Sequence, residues 1–253
     1  MIRVLGHQLA VEQKVFWRNR ESAVFIFIFP IMLFVLLASV YGGTTTIDGV
    51  KWPAKYALLA GLLSYGAANT AFAGLAITLV IRREAGLLKR LRSTPLPAPA
   101  YLSAVVTSLL AVFALQTVSL FVIGRVIFGT RFPHNVASLV LLVLIGIAGF
   151  GGFGFGVASL IRSAEGSSAV VNVILLPMAF LSGSFGPARH LPKVLAWIAD
   201  VLPLKYFVQL ANAVYLNSQH IWSKPGAIAV VLGWGAGGLA VAARRFRWEP
   251  RDR

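Results

Sequence analysis

Residues 82–97 read RREAGLLKRLRSTPLP and lie between two long apolar runs. The stretch holds five Lys or Arg residues and a single Glu, so it is too charged to lie in hydrocarbon. It therefore lies at one surface of a membrane. The end of the apolar run before it and the start of the run after it must then lie at that same surface. Its basic, helix-compatible character also indicates a docking surface rather than a plain connecting loop.

The composition of the whole chain agrees with a membrane protein. Of its 253 residues 58% are hydrophobic and only 12% are charged, about half the charged fraction of a soluble domain. The formal charge of +15 comes from Lys and Arg at the ends of apolar runs, so nucleic-acid binding is not expected. The chain has no Cys, which excludes disulfides and Cys-ligated metals.

Six apolar runs predict six transmembrane helices in an all-α, polytopic fold. Their predicted bounds are 22–42, 56–81, 101–123, 136–161, 168–185 and 225–243, in one domain over residues 1–253. The first run could instead be a cleaved signal peptide, with residues 37–41 as the cleavage site. The 21 residues that precede the run are long for a signal peptide and argue against this.

The loops between the runs separate into two sets by charge. One set carries 15 Lys and Arg residues and the other carries 8. The first set contains both termini and the 82–97 stretch. By the positive-inside rule it is predicted to be cytoplasmic.

Residues 1–21 predict an amphipathic helix. On a helical wheel Arg3, His7, Lys14, Arg18 and Glu21 share one face, and Ile2, Leu5, Leu9 and Phe16 lie opposite. We expect this helix to lie in the membrane interface, against anionic lipid or a partner. The simpler alternative is a charged flank that only orients the first span.

Residues 183–224 are too apolar for an ordinary solvated loop. Apolar residues recur there at helical spacing, and Pro187, Pro192 and Pro203 interrupt them. The pattern predicts two short helices, over 192–201 and 205–215, at or dipping into the outer leaflet. An exposed amphipathic loop fits the same pattern equally well.

The sequence offers no chemistry of its own. It has no phosphate-binding loop, no His spacing for a metal and no serine-hydrolase elbow, so neither enzyme activity nor a bound cofactor is expected of this chain. The predicted spans contain essentially no ionisable residue, which argues against ion-coupled transport. Any uphill transport would therefore draw its energy from another subunit.

Polar and small residues inside the spans predict contacts between helices. The polar ones are Ser64, Asn69, Thr70, Thr78, Gln116, Thr117 and Asn172. Most are expected to hydrogen-bond across helices, although some could face a cavity. The Gly-rich stretch 146–156 and the pair Gly233 and Gly237 predict close helix packing.

The quoted stretch carries a family resemblance. Residues 81–96, IRREAGLLKRLRSTPL, resemble the cytoplasmic segment of type-2 (ABC-2 type) ABC exporter permeases. FLSGSF at 180–185, Leu-Pro at 191–192 and LPLKY at 202–206 are similar to that family's fifth-span exit and external region, in matching order. The drug and antibiotic exporters are the most similar subgroup. Two departures are Leu87, where Thr is frequent, and Lys205, where a small or polar residue is commoner.

The resemblance implies a permease subunit of a bacterial inner membrane that pairs with a separate ATPase subunit. Two copies of each would form the exporter, and ATP and Mg²⁺ would be bound by the ATPase rather than by this chain. A coupling helix over residues 82–95 would enter a cleft of the ATPase. The residues assigned to that contact are Arg83, Glu84, Leu87, Leu88, Arg90, Leu91 and Arg92.

The resemblance also implies a substrate pathway between the two permease subunits, near the first, second and fifth spans. Its lining residues would be Phe27, Phe34, Tyr65, Asn69 and Asn172. Aromatic and amide groups suit an amphipathic, lipid-soluble cargo. Two other functions stay open: a polysaccharide or lipid-linked glycan exporter, which a pathway rich in aromatic rings would favour, and a membrane scaffold without transport.

Overall fold

The structure, a computed structural model, describes residues 2–93, 97–186 and 192–246. Within these ranges six helices are long and apolar enough to cross a membrane. They cover Ala23–Val40, Ala54–Glu84, Ala100–Phe128, Val136–Leu160, Ala164–Leu181 and Pro225–Arg245. The predicted all-α polytopic fold with six spans is confirmed, with bounds that differ from the prediction by a few residues.

In chain order the helices are α1 (Ile2–Arg18), α2 (Arg20–Val40), α3 (Ala54–Ala67), α4 (Leu75–Glu84), α5 (Leu87–Arg92), α6 (Ala98–Phe128), α7 (Val136–Leu160), α8 (Ala164–Leu181), α9 (Lys193–Val201), α10 (Pro203–Tyr215) and α11 (Pro225–Arg245). Two strands, β1 (Thr44–Ile47) and β2 (Val50–Pro53), follow α2. A π-helical segment, Ala68–Gly74, joins α3 to α4 within the second span. That span is buried along most of its length, so it forms the centre of the bundle.

The two ends of the bundle differ in what they hold. At one end, which we call the basic end, lie α1, α5, the last turn of α4 and the start of α8. At the other, which we call the hairpin end, lie β1, β2 and the connection between α6 and α7. Six crossings return the chain to the basic end, so the described parts of both termini lie there.

The β1–β2 hairpin is absent from the sequence-based prediction. Its turn residues Asp48 and Gly49 both have positive φ, +49° and +79°. A two-residue hairpin turn of this hand requires such angles, and Asp-Gly supplies them at low cost. The Asp48 carboxylate accepts hydrogen bonds from Lys224 Nζ at 3.2 Å and Asn217 Nδ2 at 3.4 Å. These bonds hold the hairpin against the segment that leads into the last span.

Helices α9 and α10 confirm the two short helices expected between the fifth and sixth spans. They meet at 77°. At the corner, Trp234 Nε1 donates to the Val201 carbonyl at 2.9 Å. Trp234 lies nine residues into α11, which is about 14 Å from its start. Since α10 returns to the hairpin end, where Arg131 donates to the Leu216 carbonyl, the pair has a re-entrant geometry.

The contact between α7 and α11 depends on glycine. A Cβ added at Gly152 would stand 2.4 Å from the Gly235 carbonyl oxygen, and one at Gly156 would stand 2.7 Å from Gly238 Cα. The close packing predicted for residues 146–156 is therefore confirmed. The predicted pair in α11 is wrong: Gly233 and Gly237 have nothing within 4 Å of an added Cβ. Gly235 and Gly238 make the contact because they lie on the face that α7 covers.

Candidate functional site

The last turn of α4 carries three consecutive charged residues, Arg82, Arg83 and Glu84. Consecutive residues project about 100° apart around a helix. The three side chains therefore leave α4 in different directions and reach different neighbours. Together with Glu12 and Tyr101, which Arg82 contacts, we call them the polar cluster.

Arg82 joins α4 to α1 and α6. Its guanidinium donates to both carboxylate oxygens of Glu12, at 2.9 and 2.7 Å, and to the Tyr101 hydroxyl at 2.7 Å. The Glu12 and Arg82 side chains are 7% and 15% exposed, so this is a largely desolvated ion pair. Two-point geometry and the added phenol partner are the conditions under which such a pair holds its elements in one arrangement.

Arg83 joins α4 to the end of α7. It is only 1% exposed, and its guanidinium donates to the Ala158 carbonyl at 3.1 Å and the Ile161 carbonyl at 2.6 Å. These carbonyls lie at the C-terminus of α7, where backbone acceptors lack helical partners and the helix dipole favours a cation. Arg83 therefore places a positive charge at the buried C-terminus of α7.

Glu84 joins α4 to the start of α8, where a negative charge meets the N-terminus of a helix. Its carboxylate accepts a hydrogen bond from the Ala164 backbone amide, in the first turn of α8. The first amides of a helix lack acceptors and the dipole there favours an anion. Ser163 caps the same helix by accepting from the Gly166 amide. This cap is the reason α8 begins four residues before the predicted start of the fifth span.

The chain breaks immediately after this triplet. Gly86 adopts φ +69°, a left-handed conformation that glycine enters readily, and α5 then runs only over Leu87–Arg92. The predicted coupling helix over 82–95 is corrected accordingly: Arg82, Arg83 and Glu84 end the second span, and α5 is separate. Residues 94–96 and the Arg92 side chain lie outside the described part of the structure.

The side chains of α5 divide between the core and the surface. Leu88 is fully buried and Leu91 packs against the core, so these two anchor the helix. Leu87 is 48% exposed, and Lys89 and Arg90 are exposed beside it. Of the residues assigned to the ATPase contact, Leu87 and Arg90 therefore present a surface. Arg83 and Glu84 are occupied by α7 and α8.

Helix α1 is held to the bundle by polar contacts as well as by its apolar face. Gln13 Nε2 donates to both the carbonyl and the hydroxyl of Ser108 in α6, each at 3.0 Å. Trp17 stacks on Phe27 of α2, with 5.6 Å between ring centroids. His7, Lys14 and Arg18 are exposed, as the wheel predicts. The interfacial position of the helix stays a prediction.

The five predicted pathway residues do not gather at one place. Phe34 is fully buried, with its ring edge-on to Phe128 of α6. Phe27 lies against α1. Tyr65 is buried between α2 and the end of α8, with Phe29 at 6.0 Å and Phe185 at 5.1 Å between ring centroids. Asn69 is half-buried in the π-helical segment, and Asn172 is exposed on α8.

Several of the described helices leave apolar faces uncovered, α2 and α8 among them. On α2 the exposed residues are Val24, Phe25, Ile28, Met32 and Leu36, and on α8 they are Val170, Val173, Leu176 and Phe180. Both sets recur at helical spacing, so each forms a stripe along its helix. Asn172 is the exposed amide beside the α8 stripe. An amide at this depth is more stable in a polar cavity or an interface than in lipid.

One residue of the site, Glu12, escaped the sequence-based prediction. Glu12 falls about 20° from Leu5 and 40° from Phe16 on the wheel, so it is an acid on the apolar face. That position was the available signal for a buried partner. Gln116 and Thr70, by contrast, were predicted to bond across helices: Gln116 Nε2 donates to the Ile26 carbonyl at 2.8 Å, and its Oε1 accepts from Thr70 Oγ1 at 3.1 Å.

These features define a polytopic helical membrane protein in which one surface helix, α5, follows a cluster that ties together α1, α4, α6, α7 and α8. Residues 8–216 match the family described as ABC-2 type transporter, and the chain belongs to that family. Membership implies an ABC ATPase subunit as the partner.

Two relatives are similar over much of the chain. YvfS of Bacillus subtilis, whose name describes a transport permease, is 26% identical over 207 residues, which are 81% of this chain and 83% of YvfS. The inner membrane transport permease YhhJ of Escherichia coli is 23% identical over 173 residues. That match covers 67% of this chain and 46% of YhhJ. The family and these names support a membrane permease subunit.

Proposed function

We propose that this chain is the membrane-spanning subunit of an ATP-driven exporter of lipophilic compounds, drugs among them. The observation that carries the proposal is the polar cluster. Three consecutive residues at the base of one span hold four other elements, and the exposed helix α5 follows them directly. A force applied to α5 would therefore reach most of the bundle.

In this proposal α5 enters a cleft of the ATPase subunit. Leu87 would supply the apolar contact and Arg90 the charged one, with Arg92 beside them. ATP and Mg²⁺ are bound by the ATPase, two copies of which work with two permease subunits. Closure of the ATPase pair displaces α5, and α4 follows because only two residues separate the helices. The cluster then moves α1, α7 and α8 with α4, in a rigid-body step that changes access to the pathway.

The pathway is proposed to lie where the uncovered stripes of α2 and α8 meet the same stripes of a second permease subunit. The amide of Asn172 would face it, with Tyr65 and Asn69 on the central span behind. Apolar walls with a few amide and phenol groups suit a lipid-soluble, amphipathic solute. The proposed location is a bacterial inner membrane, and the excess of basic residues at the basic end supports placing that end in the cytoplasm.

The test uses the complex of this chain with its ATPase, reconstituted in vesicles. Reversing one charge with Arg90→Glu is expected to lower both complex recovery and ATP-dependent dye transport at least tenfold. The control is Lys51→Glu, which reverses an exposed charge at the hairpin end. Equal transport by the Arg90→Glu variant and the wild type would refute the role of α5. Unchanged ATPase activity over a panel of lipophilic drugs would refute the proposed cargo.

A further inference from the structure

A groove runs between α7 and α11, away from the polar cluster. Its volume is about 520 Å³, and it is lined mainly by Phe153, Val157, Leu160, Gly233, Gly237 and Val241. All of its lining residues are apolar apart from the Trp234 indole, whose N–H already donates to the Val201 carbonyl. Helix α11 packs mainly against α7 and α10, and none of the residues that line the groove belongs to α2 or α8.

The groove exists because glycine faces outward as well as inward on α11. Gly235 and Gly238 bring α11 close to α7, whereas Gly233 and Gly237 leave open space beside the seam. From Val230 to Val241 the lining covers about 17 Å of helix. One leaflet of the hydrocarbon core is about 15 Å thick, which is half of the full thickness. The groove therefore has the length of one acyl chain.

The mouth of the groove at the basic end is positively charged. Arg162 follows the end of α7 by two residues, and Arg244 and Arg245 close α11. The paired glycines show that the two helices run in parallel, so their C-terminal ends lie at the same level. All three arginines are exposed, and no acidic side chain is paired with them among the described residues. Basic groups at this level attract the phosphates of anionic lipids.

We propose that this groove binds an anionic phospholipid of the leaflet at the basic end. One acyl chain lies along Gly233, Gly237 and Val241, and the headgroup phosphate lies among Arg162, Arg244 and Arg245. Length, apolar lining and charge at one end together fit a lipid with a negative headgroup. The site is separate from the proposed transport pathway and from α5.

The test is native mass spectrometry of the purified full chain with palmitoyl-oleoyl phosphatidylglycerol or the matching phosphatidylcholine. The wild type is expected to retain the anionic lipid preferentially. Each Arg→Gln change at 162, 244 or 245 is expected to reduce that preference roughly fivefold, since each basic residue near a lipid surface contributes about 1 kcal/mol. The control Lys89→Gln removes an exposed charge from α5 at the same end. An equal loss in this control, or equal retention of the two lipids by the wild type, would overturn the proposal.

The groove itself is tested by filling it. Gly237→Leu has room for its side chain and is expected to lower retention of the anionic lipid, and Gly233→Leu repeats the change one turn away. Gly226→Leu, also with open space but outside the groove, is the control. Unchanged lipid retention in both fillings would refute the site. A cysteine at position 237 that cross-links to another membrane protein would also refute it, because a helix and not a lipid would then cover the groove.

Discussion

At the residue scale, Gln116 donates a hydrogen bond to a backbone carbonyl of α2 that has no helical donor because of Pro30. Pro30 lies inside α2 and has no N–H, so the carbonyl four residues earlier, on Ile26, loses its helical donor. Gln116 Nε2 donates to that carbonyl from α6, and Thr70 bonds the other end of the same amide. Because lipid offers no substitute donor, this side chain lets α2 carry a proline within the membrane.

Replacing Gln116 with Leu is therefore expected to destabilise the protein by about 1–3 kcal/mol, the cost of a buried acceptor without a donor. Thermal unfolding in detergent would measure the loss. In a Pro30→Ala background, where α2 supplies its own N–H, the same substitution is expected to cost clearly less. Ser119→Ala, which removes a hydroxyl bonded within its own helix, is the control. An equal cost in both backgrounds would contradict the account.

The sequence could reveal some of these residues but not their partners. Gln116 and Thr70 were each predicted to bond across helices because buried amides and hydroxyls require partners, and the structure confirms this by bonding them to each other. Arg83 was assigned to the ATPase contact because the family resemblance implies a coupling helix over this stretch. Its burial depends on where α7 ends in space, and no local pattern around residue 83 encodes that position. Its role at an ATPase surface stays untested.

At the element scale, the packing of α7 against α11 shows that the position of a glycine on its helix decides whether it lies in the contact. Six glycines in α7 and five in α11 are candidates by composition, yet only those facing the neighbouring backbone are required to be small. Gly151 and Gly152 show the contrast within one turn. An added Cβ at Gly151 meets nothing within 4 Å, whereas one at Gly152 meets the Gly235 backbone.

Gly152→Ala is accordingly expected to push the helices apart and to cost about 1–3 kcal/mol or more, as overpacked cores do. Gly151→Ala should leave stability unchanged or slightly raise it, since alanine favours a helix. Unfolding of the two purified variants under identical detergent conditions would measure the difference. Equal stability would show that α7 and α11 are not held as closely as the structure describes.

Elements follow from the sequence where a run of residues is long and uniform in character. Six apolar runs gave six spans, and the amphipathic wheel gave α1. The β1–β2 hairpin was missed because each strand has only four residues, too few to establish an alternating pattern. The break between α4 and α5 at Gly86 was also missed, since an isolated glycine inside a helical pattern does not by itself indicate a left-handed backbone conformation.

At the scale of the whole molecule, the described residues include exposed apolar stripes on α2 and α8, and the sequence contains no cysteine. The absence of cysteine makes the proposed pairing of permeases directly testable, because a single introduced cysteine can form a disulfide only with the same cysteine of a second copy of the chain. Val173, which is 74% exposed, lies on the α8 stripe. Val118, which is 57% exposed, lies on a different uncovered face, that of α6, with Leu115 and Val122.

In membranes, Val173→Cys is expected to give a disulfide-linked dimer on mild oxidation, and Val118→Cys is expected to stay monomeric. Non-reducing gel electrophoresis would separate the two results. Thermal unfolding of each variant should match the wild type, since both side chains are already exposed. Cross-linking through position 118 and not 173 would assign the interface to another face of the bundle.

The π-helical segment Ala68–Gly74 sets the rotational phase of the second span. A π-turn takes up about one residue more than an α-turn, and each residue rotates an α-helix by about 100°. If Ala68–Gly74 were α-helical instead, the last turn of α4 would rotate by this angle relative to Tyr65 and the half of the span at the hairpin end. Arg82 and Arg83 would then each point where the next residue points now, which would set the Arg83 cation against the α8 amide that Glu84 caps. The π-helical segment thus keeps the two halves of one span in register with different surroundings.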